Sequence, residues 1–117
     1  MSLNLIAEEI GDAVVLRCKG RIVFRDEVTA LSQRAGELIE QRRQLILDFM
    51  GVTAIDSAGL GELVALHMWA QASGRRLKII RPSSRVRYLL ELTNLTSILT
   101  ILSSEEEASS ESEAEVA

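Results

Sequence analysis

The residues best placed to do chemistry lie in one short run, Asp56-Ser57-Ala58-Gly59-Leu60-Gly61. Residues 44–50 have the pattern of a buried strand, and the apolar spacing that starts at Leu60 predicts a helix. Residues 51–56 are expected to form a loop that presents Ser57. The Ser57 hydroxyl therefore lies at a predicted strand-to-helix corner, where the first N–H groups of a helix are free to bind a phosphate.

A catalytic role for Ser57 would need a general base within hydrogen-bond reach. The only histidine, His67, lies further along the same predicted helix, at a separation of roughly 15 Å along its axis. A nucleophile elbow also needs a small residue two positions before the serine, and Ile55 occupies that position. The sequence therefore predicts no catalytic residue, and we do not expect an enzyme.

Nucleotide and metal sites are not indicated either. Gly59 and Gly61 are not followed by the lysine of a phosphate-binding Walker loop. The chain has one histidine and one cysteine, Cys18, whereas a metal site needs several converging ligands. We therefore expect no metal and no other cofactor. The alternating pattern around Cys18 predicts a half-buried thiol that acts as a small apolar side chain.

Helix capping alone would explain Asp56 and Ser57, because a capping oxygen contributes about 1 kcal/mol. It would not explain Gly59 and Gly61, since a glycine near the start of a helix costs up to about 1 kcal/mol relative to alanine. Their missing side chains permit a close approach, either by the protein's own strands or by a partner. The sequence leaves both interpretations open.

Supporting and contact residues are expected on either side of this corner. Asp48 lies within an apolar strand, and a buried carboxylate needs hydrogen-bond donors, so we expect it to accept loop N–H groups near Ser57. Thr53 is expected to form hydrogen bonds within the same loop. The apolar pair Val23 and Phe24 is open to two interpretations, a contact patch for a partner or a buried loop anchor.

The remaining patterns predict the elements that position Ser57. Residues 3–9 and 13–19 predict an antiparallel hairpin, Asp26 is expected to cap the helix that follows, and residues 98–102 suit a short strand or helix. The predicted order is ββαβαβα followed by this ambiguous element. The fold class is therefore α/β, with a mixed, mostly parallel sheet of four to five strands that starts with an antiparallel hairpin.

Composition limits the domain count and the classes of partner. The 117 residues are 47% hydrophobic, which suits one domain over residues 1–102. Residues 103–117 form an acidic Ser/Glu-rich tail that holds six of the seventeen acidic residues and no basic one, and we expect it to be disordered. Residues 1–102 are nearly neutral in charge and poor in aromatic residues, which argues against nucleic acid as a binding partner. The sequence pattern predicts neither a signal peptide nor a membrane-spanning segment, so we expect a cytoplasmic protein without direct membrane insertion.

The run from Leu47 to Gly61 resembles the signature of STAS domains, the sulfate-transporter and anti-sigma-factor-antagonist family. Pro82-Ser83-Ser84 and the apolar spacing that follows it resemble the last helix of that family. The resemblance extends over about residues 3 to 102 and implies a STAS domain.

In stand-alone members of this family, the serine that matches Ser57 is phosphorylated by a partner that is both anti-sigma factor and serine kinase. A PP2C-type phosphatase removes the phosphate. The resemblance implies that unphosphorylated protein binds the anti-sigma factor and is released by phosphorylation. The alternative is a STAS scaffold subunit of a stressosome-like or transporter-associated complex, in which Ser57 only caps its helix. The partner-binding residues that the resemblance implies are Asp56, Ser57, Ala58, Gly59, Leu60 and Gly61. The apolar pair Val23 and Phe24 is assigned to the same surface from its residue types and not from the resemblance.

Overall fold

A computed structural model of the protein describes residues 3–104. Residue 105 onward, which includes most of the predicted acidic tail, lies outside the described residues, and the boundary at residue 102 stays a prediction. The elements in chain order are β1 (Leu3–Ile10), β2 (Ala13–Ile22), α1 (Phe24–Gln41), β3 (Gln44–Ile55), α2 (Ser57–Ala72), β4 (Arg76–Ile80), α3 (Ser84–Leu92), a 3-10 turn (Leu95–Ser97) and β5 (Thr100–Leu102).

The five strands form one sheet in the order β1-β2-β3-β4-β5. β1 and β2 are antiparallel, and β2 to β5 pair in parallel. The hairpin turn contains Gly11 at a φ of +61°, a left-handed conformation that glycine adopts readily. The predicted α/β class, with its mostly parallel sheet and starting hairpin, is confirmed, and the ambiguous segment 98–102 contains β5.

The two faces of the sheet differ in what packs on them, because successive side chains of a strand point to opposite sides. The main hydrophobic core joins one face to buried residues of α1, α2 and α3. The opposite face has a smaller buried cluster made of strand residues, Ala13, Val15, Ile46 and Ile80. We call this side the helix-free face. It comprises the alternate positions 13–19 of β2, 44–48 of β3 and 76–80 of β4.

Two sequence-based expectations about element ends are wrong. Asp26 does not cap α1, because the helix already begins at Phe24 and Asp26 lies in its first turn, where a carboxylate interacts favourably with the helix dipole. Residues 51–56 do not form a loop, because β2 continues to Ile22 and pairs with β3 as far as Ile55. Ser57 is therefore presented by the end of a long strand.

Cys18 is more deeply buried than the sequence pattern predicts, with 2% of its surface exposed. It belongs to the main core on the helix-covered side of β2. Burial raises the pKa of the Cys18 thiol to about 12. The thiol is therefore protonated at neutral pH and unreactive toward alkylating reagents.

Candidate functional site

The corner between β3 and α2 presents Ser57 to solvent. β3 ends at Ile55 and α2 begins at Ser57, so Asp56 occupies the N-cap position. The Ser57 side chain is exposed and lies in the first turn of α2, beside backbone N–H groups that have no carbonyl partner within the helix. The positive end of the helix dipole favours a negative charge at this position.

Asp56 joins the starts of two helices. Its Oδ1 accepts a hydrogen bond of 3.0 Å from the N–H of Gly59, and its Oδ2 accepts one of 3.0 Å from the N–H of Phe24. These two bonds hold the pKa of the Asp56 carboxyl below its ordinary value, and the bond from the Phe24 N–H has the larger effect. One carboxylate thus fixes the start of α1 against the start of α2.

We expect Asp56→Ala to lower the free energy of unfolding by about 1–2 kcal/mol, because it removes an N-cap and the acceptor of the Phe24 N–H. The ionised carboxylate stabilises the fold above its unfolded-state pKa of about 4, and this contribution is lost as pH falls through the lower folded-state pKa. The difference in free energy of unfolding between the unaltered protein and Asp56→Ala should therefore become smaller when urea unfolding is measured at successively lower pH, from about 7 toward 2. A difference that stays constant would contradict this role of the charge.

The two glycines of the motif differ in their surroundings. A Cβ added to Gly59 would lie 2.5 Å from the carbonyl oxygen of Ile22 and 2.7 Å from Cγ1 of Ile55. A Cβ added to Gly61 would meet nothing within 4 Å. The protein's own strands therefore explain Gly59, whereas internal packing does not explain Gly61.

Val23 and Phe24, which were grouped as contact residues, differ sharply in exposure. Val23 is 6% exposed and is a buried anchor, which corrects its assignment as a partner-contact residue. Phe24 is 66% exposed and has a φ of +63°. A left-handed conformation in a bulky residue costs about 1–3 kcal/mol and persists where the surroundings enforce it. Here the hydrogen bond from the Phe24 N–H to Asp56 helps to hold it.

The accessible residues of the corner form one small surface. Ser57, Ala58 and Gly61 are exposed on the first turns of α2, and Phe24 lies beside them through its bond to Asp56. We call these four residues the corner patch. Leu60 is half-buried and packs against the main core, so it supports the patch from beneath.

Asp48 does not hold the Ser57 corner, which corrects the sequence-based expectation. It lies on the helix-free face, where it pairs with Arg17 at 2.9 Å and with Arg81. Its Oδ1 accepts the N–H of Met50 at 3.0 Å. The β2–β3 register shifts just there, between Arg17 and Lys19, so Asp48 fixes an irregular step of β3 and not a loop.

Burial opposes ionisation of Asp48, but hydrogen bonds from Arg81, from the N–H of Met50 and from Arg17 outweigh it and lower the pKa of this carboxyl. Neither arginine was among the residues predicted from the sequence. The signal was present, because a carboxylate in an apolar strand requires a cation. Arg17 lies at an alternate position of the neighbouring strand, and Arg81 directly follows β4.

Thr53 forms a hydrogen bond near the corner, although from a strand and not from a loop. Its Oγ1 donates to the carbonyl oxygen of Gly20 at 3.3 Å. This bond joins β3 to β2 just before the corner, next to a second shift in their register, between Gly20 and Arg21. Thr53 thus contacts the strand that leads to Phe24.

His67 and Ser57 lie on the same helix, α2. Among residues 3–104, no three His, Cys, Asp or Glu side chains are grouped so that they could hold a metal ion. In that same part of the chain, each helix falls short of the length or the apolar character that a bilayer crossing requires.

Comparison with known proteins identifies similar sequences and structures. A family model described as the STAS domain matches residues 4–108. A Thermotoga maritima protein provisionally described as an anti-sigma factor antagonist is 23% identical, with a TM-score of 0.84 over 92% of each chain. The anti-sigma factor antagonist SpoIIAA in its unphosphorylated form is 22% identical, with a TM-score of 0.77 over 95% of this chain and 97% of that chain. Bacillus SpoIIAA in its phosphorylated form is 22% identical, with a TM-score of 0.70 over 92% of this chain and 98% of the other. At these identities the three structures show a shared fold.

Proposed function

The chain belongs to the STAS domain family, and we propose that it is an anti-sigma factor antagonist controlled by phosphorylation of Ser57. In its unphosphorylated form it binds, in the cytoplasm, an anti-sigma factor that is also a serine kinase. Phosphorylation of Ser57 by that partner releases it, and a PP2C-type phosphatase restores the binding form. The protein is a substrate and a competitor in this cycle and catalyses no reaction itself.

The observation that carries this proposal is the position of Ser57. Its hydroxyl is exposed at the first residue of α2, and the fold beneath it is held by contacts that do not involve it. Asp56 already caps the helix through the N–H of Gly59, so capping does not account for Ser57. A covalent change at this hydroxyl is therefore expected to alter the surface and to leave the fold intact.

The charge of a phosphate explains how binding could be switched off. Phosphorylation adds about 1.5 to 2 negative charges, which the start of α2 can accommodate because the helix dipole is positive there. A partner docked on the corner patch would have to desolvate this group, and Asp56 adds a like charge beside it. We therefore expect affinity to fall while stability changes little.

Two further observations support the proposal. The similar structures include SpoIIAA in an unphosphorylated and a phosphorylated form, so a protein of similar fold exists in both forms. The exposed side chain of Phe24, whose backbone N–H is bonded to Asp56, supplies an apolar anchor of the type that dominates binding energy at protein interfaces. Together they support a phosphorylation-sensitive docking surface at the corner.

Phosphate transfer by a candidate anti-sigma kinase tests the proposal directly. We expect incubation with the kinase and ATP, followed by peptide mass spectrometry, to place one phosphate on Ser57. Ser57→Ala should take up none, and Thr53→Ala, which removes the nearest other hydroxyl of the motif, should be phosphorylated like the unaltered protein. Transfer to Thr53, or binding to the kinase without any transfer, would contradict the proposed switch and favour the scaffold role.

A further inference from the structure

A cleft of about 290 Å³ lies between the end of α2 and the start of β4. β5 has three residues and pairs with β4 from Lys78 onward, so in the described part of the chain no strand lies beside Arg76 and Leu77 on that edge. α2 contributes His67 and Gln71 to the lining. Ligand pockets in proteins measure roughly 300–1,000 Å³, so a cleft of this volume suits only a small ligand.

The charged residues that line the cleft are all basic. Arg75, Arg76 and Lys78 line it, whereas no acidic residue among those that the structure describes does so. Arg76 and Lys78 already interact with other groups of the protein, so Arg75 is the cation to consider as a partner for a ligand. A concave site that is lined by cations and lacks a carboxylate attracts anions and repels cations.

The guanidinium of Arg75 has an unused donor. Its Nε is buried and has no hydrogen-bond acceptor within residues 3–104. The Nη2 atom donates a long bond of 3.5 Å to the carbonyl oxygen of Glu40. Because a buried donor without an acceptor is unfavourable, such groups are uncommon in folded proteins and call for a partner. An anion bound in the cleft would supply the acceptor, and a charged acceptor makes the stronger hydrogen bond.

Neutral donors line the same cleft. His67 and Gln71 are four residues apart on α2 and therefore on the same side of the helix, and Thr100 begins β5. An imidazole N–H, an amide and a hydroxyl can each donate to an oxygen of an anion. The carbonyl groups at the end of α2 disfavour a negative charge, but those of Trp69, Ala70 and Gln71 already accept N–H groups of the following turn. This capping reduces the opposition of the helix end to an anion.

We propose that this cleft binds a small oxyanion, a phosphate or carboxylate group. Its oxygens accept hydrogen bonds from Nε of Arg75 and from the donors of His67, Gln71 and Thr100. Ser57 lies at the other end of α2, ten residues before His67, or roughly 15 Å along the helix axis. The cleft is therefore a second site, and it is independent of the proposed phosphorylation of Ser57.

The side-chain N–H signal of Arg75 provides a direct test in the full-length chain. We expect titration with inorganic phosphate at constant ionic strength to shift the NMR signal of the Arg75 Nε–H in a saturable way, with a dissociation constant on the order of 1 mM. The Nε–H signal of Arg85, an exposed residue of α3 outside the cleft, should move little. The same titration with citrate shows which anion type the cleft prefers, and saturation by either one supports the proposal.

Variants at Arg75 show whether its guanidinium binds the anion. Arg75→Lys keeps the positive charge and removes the Nε donor, and Arg75→Gln removes both. We expect each to weaken binding by about tenfold or more, measured from the backbone amide signal of Thr100. Arg85→Gln, the matched control, should bind phosphate like the unaltered protein.

Three outcomes would overturn the proposal. The first is the absence of a saturable shift at Arg75 in the unaltered protein with both anions. The second is an equal shift at Arg75 and Arg85, which would show a general response of exposed charges to the added salt. The third is equal affinity of Arg75→Gln and Arg85→Gln for the anion. The first two are measured on the unaltered chain, so they hold even where a variant does not fold.

Discussion

Ser57→Asp is expected to weaken binding of the anti-sigma factor by about two orders of magnitude, or roughly 3 kcal/mol. The substitution places an unpaired charge at the centre of the corner patch, next to Asp56, where a docked partner would have to desolvate it. Its effect on the free energy of unfolding should stay within about 1 kcal/mol, because the helix dipole favours a carboxylate at this position. Calorimetric titration and urea unfolding measure the two quantities separately.

Two variants show whether the position of the charge matters. Ser57→Ala removes the hydroxyl without adding charge, and its affinity should stay close to that of the unaltered protein. Ala65→Asp adds the same charge on the exposed side of α2, two turns from Ser57, and should also bind normally. Equal affinity of Ser57→Asp and Ala65→Asp for the partner would remove the proposed switch.

Local patterns were enough to predict most of the fold. The alternation in β2 and the helical spacing of α1 and α2 each arise within one element, so the sequence shows them directly. The end of β3 did not follow from its own residues. Residues 51–55 stay in the sheet because β2 continues past Gly20, whose φ of +124° redirects the strand toward Ile22. That pairing is between segments about thirty residues apart and leaves no local pattern.

At the site, too, features that arise within one short segment were predicted, and contacts between distant segments were not. The exposed Ser57 and the cap at Asp56 depend on a single strand-to-helix corner, and the sequence located both. The partners of Asp48 lie 31 and 33 residues away, and the Phe24 N–H that binds Asp56 lies 32 residues away. Residue types can indicate that a buried charge needs a partner, but only the fold selects which partner reaches it.

Gly59→Ala is expected to lower the free energy of unfolding by about 3 kcal/mol. The added methyl would lie 2.5 Å from the carbonyl oxygen of Ile22, and this backbone atom belongs to the sheet and cannot move aside as a flexible side chain would. Relief of the clash would require α2 to move away from β2, which also strains the bonds of Asp56. Urea unfolding of both proteins measures the loss.

Gly61→Ala is the matched control, because it makes the same chemical change two residues along the same helix in open space. It should raise the free energy of unfolding by up to about 1 kcal/mol through better helix propensity. If the partner packs closely on Gly61, the same variant should bind it more weakly, so that stability and affinity change in opposite directions. Equal destabilisation by Gly59→Ala and Gly61→Ala would contradict the packing described for Gly59. Unchanged affinity of Gly61→Ala would mean that close approach of the partner does not explain this glycine.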